Sequence, residues 1–337
     1  MSITTEQQKT IPLGLHFGLP FERYLEDPGL GSGDIRKLAM NPSDYWFESA
    51  MNPEQPRRKD KKHFMLGHAL HKLVLEGKDA FDEVFLRGPT VDDALSSGMK
   101  GVATKRANAE AAQSGLIMLK ADEYDGIARW AAAILRNPYL TEAFKGGFGE
   151  VSVFWEREGV RLKGRFDYLK IMKRPGYMLA ANGDLKTVEN IYGDNFKRVC
   201  RQAIERYHYD AQAAHYIDGL AHIPEMIIKG HHFFGDHDPA EMMVWLSNFL
   251  TPDIRFAWQW IFVQKNGFPT TCSFSMTPGM DGAPGSAIFE TGAAKVNRGL
   301  QNYINCMDKF GTDKPWEEFE PPEELMSEDM PYNYERR

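Results

Sequence analysis

The pattern that most narrows the fold lies between residues 149 and 186. Glu150–Glu156 alternates, with Val151, Val153 and Trp155 on one face, as a half-buried strand does. Arg157-Glu158-Gly159 reads as a turn, Val160–Ile171 as a second strand and Tyr177–Lys186 as a third. Successive strands of this kind must build a sheet, and the segments around them carry helical patterns. The order of helices, strands, helices and further strands predicts an α/β or α+β arrangement with helices packed on the sheet.

Upstream, Ser32 is placed to cap a helix running to about Ala39, and Pro42 starts another. His63–Glu76 is predicted as a helix, with Phe64, Leu66, Leu70, Leu73 and Val74 in one stripe and Gly77 closing it. Residues 87–102 read as loop, followed by helical segments over about 104–118 and 121–145, interrupted near Pro138. Beyond the third strand, helices are expected at about 193–204 and 207–221, and strands near 225–235 and 241–247. A helix from Pro252 to about Lys265, a strand near 270–276 and a helix over about 286–309 complete the body. No repeat of 20–50 residues occurs. The expected organisation is an irregular arm over 1–30 and one domain over 31–310. That domain would be helical to about 148, with the sheet core from 149, and an acidic, flexible tail would span 311–337.

At 337 residues and 42% hydrophobic the chain can build a large core without staples. The 26% charged content excludes wholesale disorder. No apolar run reaches the ~18 residues of a membrane span, and the first ten residues lack a secretory pattern, so a cytoplasmic protein is expected. Cys200, Cys272 and Cys306 are too few and scattered for a disulfide framework or a four-cysteine metal site. Of the net charge of −7, six units sit in residues 311–337, where nine acids face three bases. The body is therefore nearly neutral, and a polyanionic partner is not excluded.

The residues with chemistry cluster along the strands. Asp167 lies in GRFDYLK, and Asp184 and Lys186 lie two apart in GDLKT, on one face of the third strand. If the two strands pair, both carboxylates and the ammonium converge. Two rigidly held carboxylates suit Mg²⁺, a hard ion that keeps several waters, and the lysine could orient a water or offset phosphate charge. Three acid-x-Lys triplets occur, the others being Asp60/Lys62 and Glu76/Lys78, but only Asp184/Lys186 lies in a predicted strand. On residue types alone the triplet also fits a solvated edge strand. Glu150 opens the first strand, and His68 and His71 share a helix face at i, i+3. Gln212 and Tyr216, at i, i+4, could meet a phosphate or a nucleotide end, or pack a face with Tyr209, Ala213 and Leu220. Basic residues surround this set in sequence: Lys163 and Arg165; Lys197, Arg198, Arg201 and Arg206; and the loop with Arg57, Arg58, Lys59, Lys61 and Lys62. They suit contacts to a phosphate backbone. Phosphate-loop, nucleophile-elbow and dinucleotide fingerprints are absent.

In order along the chain stand Gly67-x-x-x-His71, Glu150, Gly164-Arg165-x-Asp167, Asp184-x-Lys186 and Gln212-x-x-x-Tyr216. This order resembles the PD-(D/E)XK nuclease superfamily in its RecB and lambda-exonuclease-like branch, most of all the RecE-type phage and prophage exonucleases. NPSDYW, GHALHKLVLEG and YDAQAAHYIDGL add to the likeness, which covers roughly residues 28–265. Phe166 stands where the superfamily name has proline, and the cysteines of the iron–sulfur relatives are missing. The resemblance implies a restriction-endonuclease-like mixed sheet flanked by helices. It also implies His71, Asp167, Asp184 and the Leu185 carbonyl as metal ligands, Lys186 as catalytic lysine and Glu150 as a ligand or water holder. Gln212 and Tyr216 would lie near the DNA end, and the basic pattern adds Lys163, Arg165, Arg198 and Arg201 as expected DNA contacts. The implied activity is Mg²⁺-dependent exonucleolytic hydrolysis of duplex DNA ends, 5′ to 3′, with Mn²⁺ as a substitute, in phage-type recombination or repair. A ring-shaped homo-oligomer and a single-strand annealing protein are the implied partners. An endonuclease on the same site, or a non-catalytic DNA-binding protein of the same fold, are the alternatives.

Overall fold

The computed structural model describes residues 10–56, 62–90, 102–230, 233–279 and 285–317. The basic loop at 57–61 and most of the acidic tail lie outside this set. The strands are β1 (Gly14–His16), β2 (Phe85–Arg87), β3 (Ile117–Leu119), β4 (Phe148–Arg157), β5 (Val160–Arg174), β6 (Tyr177–Val188), β7 (Phe233–Phe234), β8 (Ile254–Gln264) and β9 (Thr271–Met276). The helices are α1 (Phe21–Glu26), α2 (Ser32–Met40), α3 (Pro42–Glu48), α4 (Lys62–His71), α5 (Gly77–Asp82), α6 (Val102–Ser114), α7 (Ala121–Arg136) and α8 (Pro138–Thr141). After the strand cluster follow α9 (Phe196–Arg206), α10 (Tyr209–Ile228), α11 (Pro239–Ser247) and α12 (Ala287–Phe310).

Among the described residues the main sheet has seven strands in the order β7-β1-β4-β5-β6-β8-β9, and β2 and β3 form a separate parallel pair. The β4–β5 hairpin turns through Glu158 and Gly159, both at positive φ (53° and 75°), the left-handed geometry a two-residue hairpin needs. β6 and β8 run parallel, so the chain must cross over between them, and it does so through α9, α10 and α11. One face of the sheet packs Trp155, Phe166, Trp258 and Phe262 against Ala213, Tyr216 and Leu220 of α10 and Val296 of α12. The other packs Leu185, Ile261 and Val263 against Leu70 of α4 and Ile127 and Ile134 of α7. The expected mixed sheet flanked by helices is therefore present. A Cβ on Gly292 would strike the Asp210 carbonyl, and one on Gly299 the Ile35 carbonyl, so these two glycines let α12 approach α10 and α2 closely.

Several expectations need correction. The segment 252–265 is not a helix: Ile254–Gln264 is the strand β8, buried on both faces. A continuous apolar run carries no period that separates a buried strand from a helix. Residues 241–247 are helical, in α11, because the Asp238 carboxylate caps the N–H groups of Ala240 and Glu241 (2.8 and 3.0 Å). Among the described residues of the strand expected at 225–235, residues 225–228 end α10 and only Phe233–Phe234 is a strand. The arm is not wholly irregular, since β1 enters the sheet between β7 and β4. At the other end the chain stays on the core as far as Trp316, which is buried against Tyr45 and Tyr303.

The arm is held by Asp27. Its carboxylate accepts from Ile11 N and Gly29 N (both 2.8 Å) and pairs with Arg161 of β5 (2.7 Å). Burial alone would raise the Asp27 pKa; the Arg161 guanidinium and the two backbone donors outweigh it and leave it lowered. Breaking this buried pair by Asp27→Ala is expected to cost about 3 kcal/mol, read as a lower denaturation midpoint. A depressed carboxylate stabilises fully above its ordinary value of 3.8 and loses that contribution as pH falls through the folded-state value. The gap between wild type and variant should therefore close in acid. A gap that is absent at neutral pH, or unchanged in acid, would contradict this role.

Candidate active site

Three acids share one row across the sheet. The β4–β5 register pairs Gly149 with Tyr168 and Val151 with Phe166, so Glu150 faces Asp167 between them. The β5–β6 ladder ends at Tyr168 and Gly183, so Asp167 faces Asp184 one step beyond. Pairing lapses at this row on both sides of Asp167. Glu150 bends β4 there at φ 54°, a left-handed conformation that costs a non-glycine residue about 1–2 kcal/mol. β6 meanwhile stays paired to β8 as far as Val188. The sheet thus forks between β5 and β6, and the fork frees backbone groups that side chains then satisfy. Asp167 Oδ2 accepts from Leu185 N (2.8 Å), and His71 Nε2 lies 3.0 Å from the Leu185 carbonyl and 3.5 Å from Asp167 Oδ2.

The remaining charges close around the row. Lys186 Nζ donates to Asp184 Oδ1 (2.6 Å) and lies 5.0 Å from the centre of the Tyr209 ring. Gln212 Nε2 approaches the same Asp184 oxygen at 3.4 Å. Arg165 Nε donates to Glu150 Oε2 (2.5 Å), and its Nη1 to the Leu19 carbonyl (2.7 Å). Burial raises the Asp184 pKa, with Lys186 opposing and Asp167 adding to the rise. Burial would lower that of Lys186, but Asp184 and Asp167 raise it, so the ammonium stays charged. For Glu150, burial is outweighed by His71 and Arg165, and its pKa falls to about 2. His71 is likewise held against burial by Asp167, Glu150 and the Leu185 carbonyl, which lift it to about 9.

Could these residues hold a divalent metal? Among the described residues no three His, Cys, Asp or Glu side chains already form a ligand group. Asp184 Oδ2, however, is buried without a hydrogen-bond partner. A bare carboxylate oxygen in the interior is costly unless a cation or water meets it. Together with Asp167 and the Leu185 carbonyl it offers the hard oxygen donors that Mg²⁺ takes, few in number and completed by water. His71 would first have to give up its proton and its contact with Leu185.

Not every residue singled out from sequence reaches this point. Lys163 is buried, its ammonium spent on the carbonyls of Tyr24 (3.0 Å) and Asp27 (2.5 Å), so it cannot contact DNA. Arg165 is committed to Glu150 and Leu19 rather than to solvent. Tyr216 is buried between Phe166 and Trp258, the packing alternative for that helix face. Arg198 and Arg201 are exposed on α9, with Arg201 over the Phe274 ring. They do not line the cavity of about 980 Å³ that opens beside Lys186, whereas Gln202 and Arg206 do. Sequence reasoning missed Tyr209 as a neighbour of Lys186. The available signal was its i, i+3 spacing to Gln212.

A family model described as "PDDEXK-like domain of unknown function (DUF3799)" matches residues 43–230, more than half of the chain. The chain belongs to this family. The PDDEXK-like match runs from α3 to just past α10, taking in His71, the three acids, Lys186 and Gln212. No curated protein matches. Among solved structures, one described as "Putative exonuclease" from Eubacterium rectale aligns over 90% of this chain and 88% of its own, at 14% identity and a TM-score of 0.46. Another, described as SSO0001, aligns over 72% and 85%, at 11% identity and a TM-score of 0.24.

The charge pattern of this PDDEXK-like site is testable without any substrate. In chelator the His71 imidazole should titrate near pH 9 by NMR, and Asp167→Asn should lower that midpoint. A raised histidine pKa stabilises the fold fully below the ordinary 6.5, and the contribution is lost as pH rises through about 9. A wild-type midpoint near 6.5 would contradict the arrangement.

Proposed function

We propose that this chain is a Mg²⁺-dependent exodeoxyribonuclease that hydrolyses phosphodiester bonds from the ends of duplex DNA, 5′ to 3′. Membership of a PDDEXK-like family supports a nuclease and a DNA substrate. The observation that carries the reading further is the fork itself. Asp167 and Asp184 face one another where the strands part, one Asp184 oxygen is bare, and Lys186 stands on the other. The end dependence and polarity are carried over from the resemblance to RecE-type exonucleases.

In this reading Asp167, Asp184 and the Leu185 carbonyl hold the metal, joined by His71 once it is deprotonated. Mg²⁺, when bound, supplies Lewis-acid polarisation of the phosphate and a lower pKa for a bound water. Lys186 orients the attacking water and offsets the negative charge that develops on the phosphate. Glu150, fixed by Arg165, holds a water at the edge of the row. Gln212 lies against Asp184 and steadies the phosphate end of the strand. Tyr216, behind Phe166, keeps β5 in place. The setting implied by the same resemblance is end processing in phage-type recombination, beside a single-strand annealing protein and in a ring of identical chains. Among the described residues no helix is long and apolar enough to cross a membrane.

The test is a cleavage assay on linear duplex DNA with a 5′-phosphate, beside a covalently closed circle. Wild type with Mg²⁺ should consume the linear substrate and spare the circle, chelator should abolish the reaction, and Lys186→Ala should slow it about 10²–10³-fold. Cleavage of the circle would make the enzyme an endonuclease. Survival of the linear DNA would remove the catalytic reading and favour a DNA-binding protein of the same fold.

A further inference from the structure

The cavity beside Lys186 opens next to the row of acids, none of which lines it, and meets the site through His71, Leu185 and Lys186. Its floor carries Leu185, Lys186 and Thr187 of β6, and its walls are the segment 189–192 and the Val199–Gln202–Arg206 face of α9. Arg36 of α2 closes one side. Three tyrosines line it. Tyr192 is 89% exposed, with Ile191 beside it at 71%, and Tyr207 is 49% exposed. The Tyr207 and Tyr209 rings lie 5.6 Å apart at 35°, and Lys186 Nζ stands over Tyr209. A line of aromatic faces thus leads from the Lys186 ammonium toward solvent. Four lysine and arginine cations line the cavity, Arg36, Lys186, Arg206 and Lys265, with the protonated His71 as a fifth, against two acids, Glu189 and Asp194. Arg36 donates to the Tyr207 carbonyl (2.9 Å), which ties α2 to the aromatic line.

Aromatic faces beside cations in an open groove match one ligand chemistry closely. An unpaired base has a free π-face to stack on tyrosine, and its phosphate meets the cations. A base inside an intact duplex offers only its edges, because both faces are already stacked on neighbours. We propose that this cavity is a cleft for single-stranded DNA, in which bases stack on Tyr207 and Tyr192 while Arg36, Arg206 and Lys265 take the phosphates. The proposal rests on the nuclease reading of the adjoining acids and gives it a substrate form. A duplex end must open before its strand reaches Asp184 and Lys186, so Tyr207 and Tyr192 set the specificity for unpaired ends. Neither belongs to the catalytic set or to the buried core: Tyr192 points largely into solvent, and Tyr207 is half-exposed against the Tyr209 ring.

The experiment uses the full chain in chelator, so that binding is read apart from cleavage. The probe is a short 5′-phosphorylated single-stranded oligonucleotide with 2-aminopurine near its end. Wild type should bind it and quench its fluorescence by stacking. Tyr207→Ala should bind about tenfold more weakly with the quench reduced, and Tyr207→Phe should retain both. Tyr192→Ala should act in the same direction. The same oligonucleotide in a blunt duplex should show no added quench. With Mg²⁺ restored, a frayed duplex end should be degraded faster than a blunt one, and Tyr207→Ala should shrink that preference. If both tyrosine variants bind and quench like wild type, the cleft is overturned, even where cleavage proceeds. If the strand stacks as described but no DNA is cleaved under any condition, the cleft stands and the nuclease reading falls.

Discussion

The parting of β5 from β6 organises the site. A sheet normally satisfies its backbone by continuing its ladder, and here the ladder stops one residue short of the acids while β6 remains bonded to β8. The freed Leu185 N–H is taken by Asp167, and the freed Leu185 carbonyl by His71. Those two contacts fix a carboxylate from β5 and an imidazole from α4 against β6. Asp184 and Lys186 project on either side of Leu185, toward α10. Without the fork, Asp167 would lie on a closed sheet and could not reach the Leu185 backbone.

Electrostatics then explain why a row of three carboxylates survives inside a fold. Glu150, Asp167 and Asp184 are matched by Arg165, His71 and Lys186, each within 4 Å of an acid. Like charges this close cannot all stay ionised without such partners. The balance is also what makes the site responsive. On the proposed reading, a divalent cation entering the row would make part of the existing positive charge redundant, and His71 would be the partner able to release its proton. Arg165 cannot release a proton, and its second bond, to the Leu19 carbonyl, links the row to the N-terminal arm that Asp27 anchors.

Much of this was legible in the sequence, for local reasons. β4, β5 and β6 alternate along half-buried faces and are joined by short turns, so their pattern matched their environment. The Asp184-x-Lys186 pair fell in a strand, and the position of Asp167 in the preceding strand placed it opposite. β8 was misread because both of its faces are buried, which erases the period. α11 was misread because Met242, Met243 and Val244 suggest a strand, although Asp238-Pro239 is a helix-start signal. Lys163 and Arg165 alternate like surface residues, and nothing local reveals that residues 19–27 cover them. Tyr207 and Tyr209 stand two apart at the α9–α10 junction, but nothing local brings Tyr192 and Lys186 to the same cavity.

On the proposed reading, the fork receives a divalent cation between Asp167, Asp184 and the Leu185 carbonyl. The most direct measurement is a crystal structure grown with Mn²⁺, located by its anomalous scattering. A peak is expected within ligand distance of Asp184 Oδ2 and Asp167, with His71 shifted off the Leu185 carbonyl. A peak elsewhere, or none while Lys186 and His71 keep their present partners at saturating Mn²⁺, would contradict that reading.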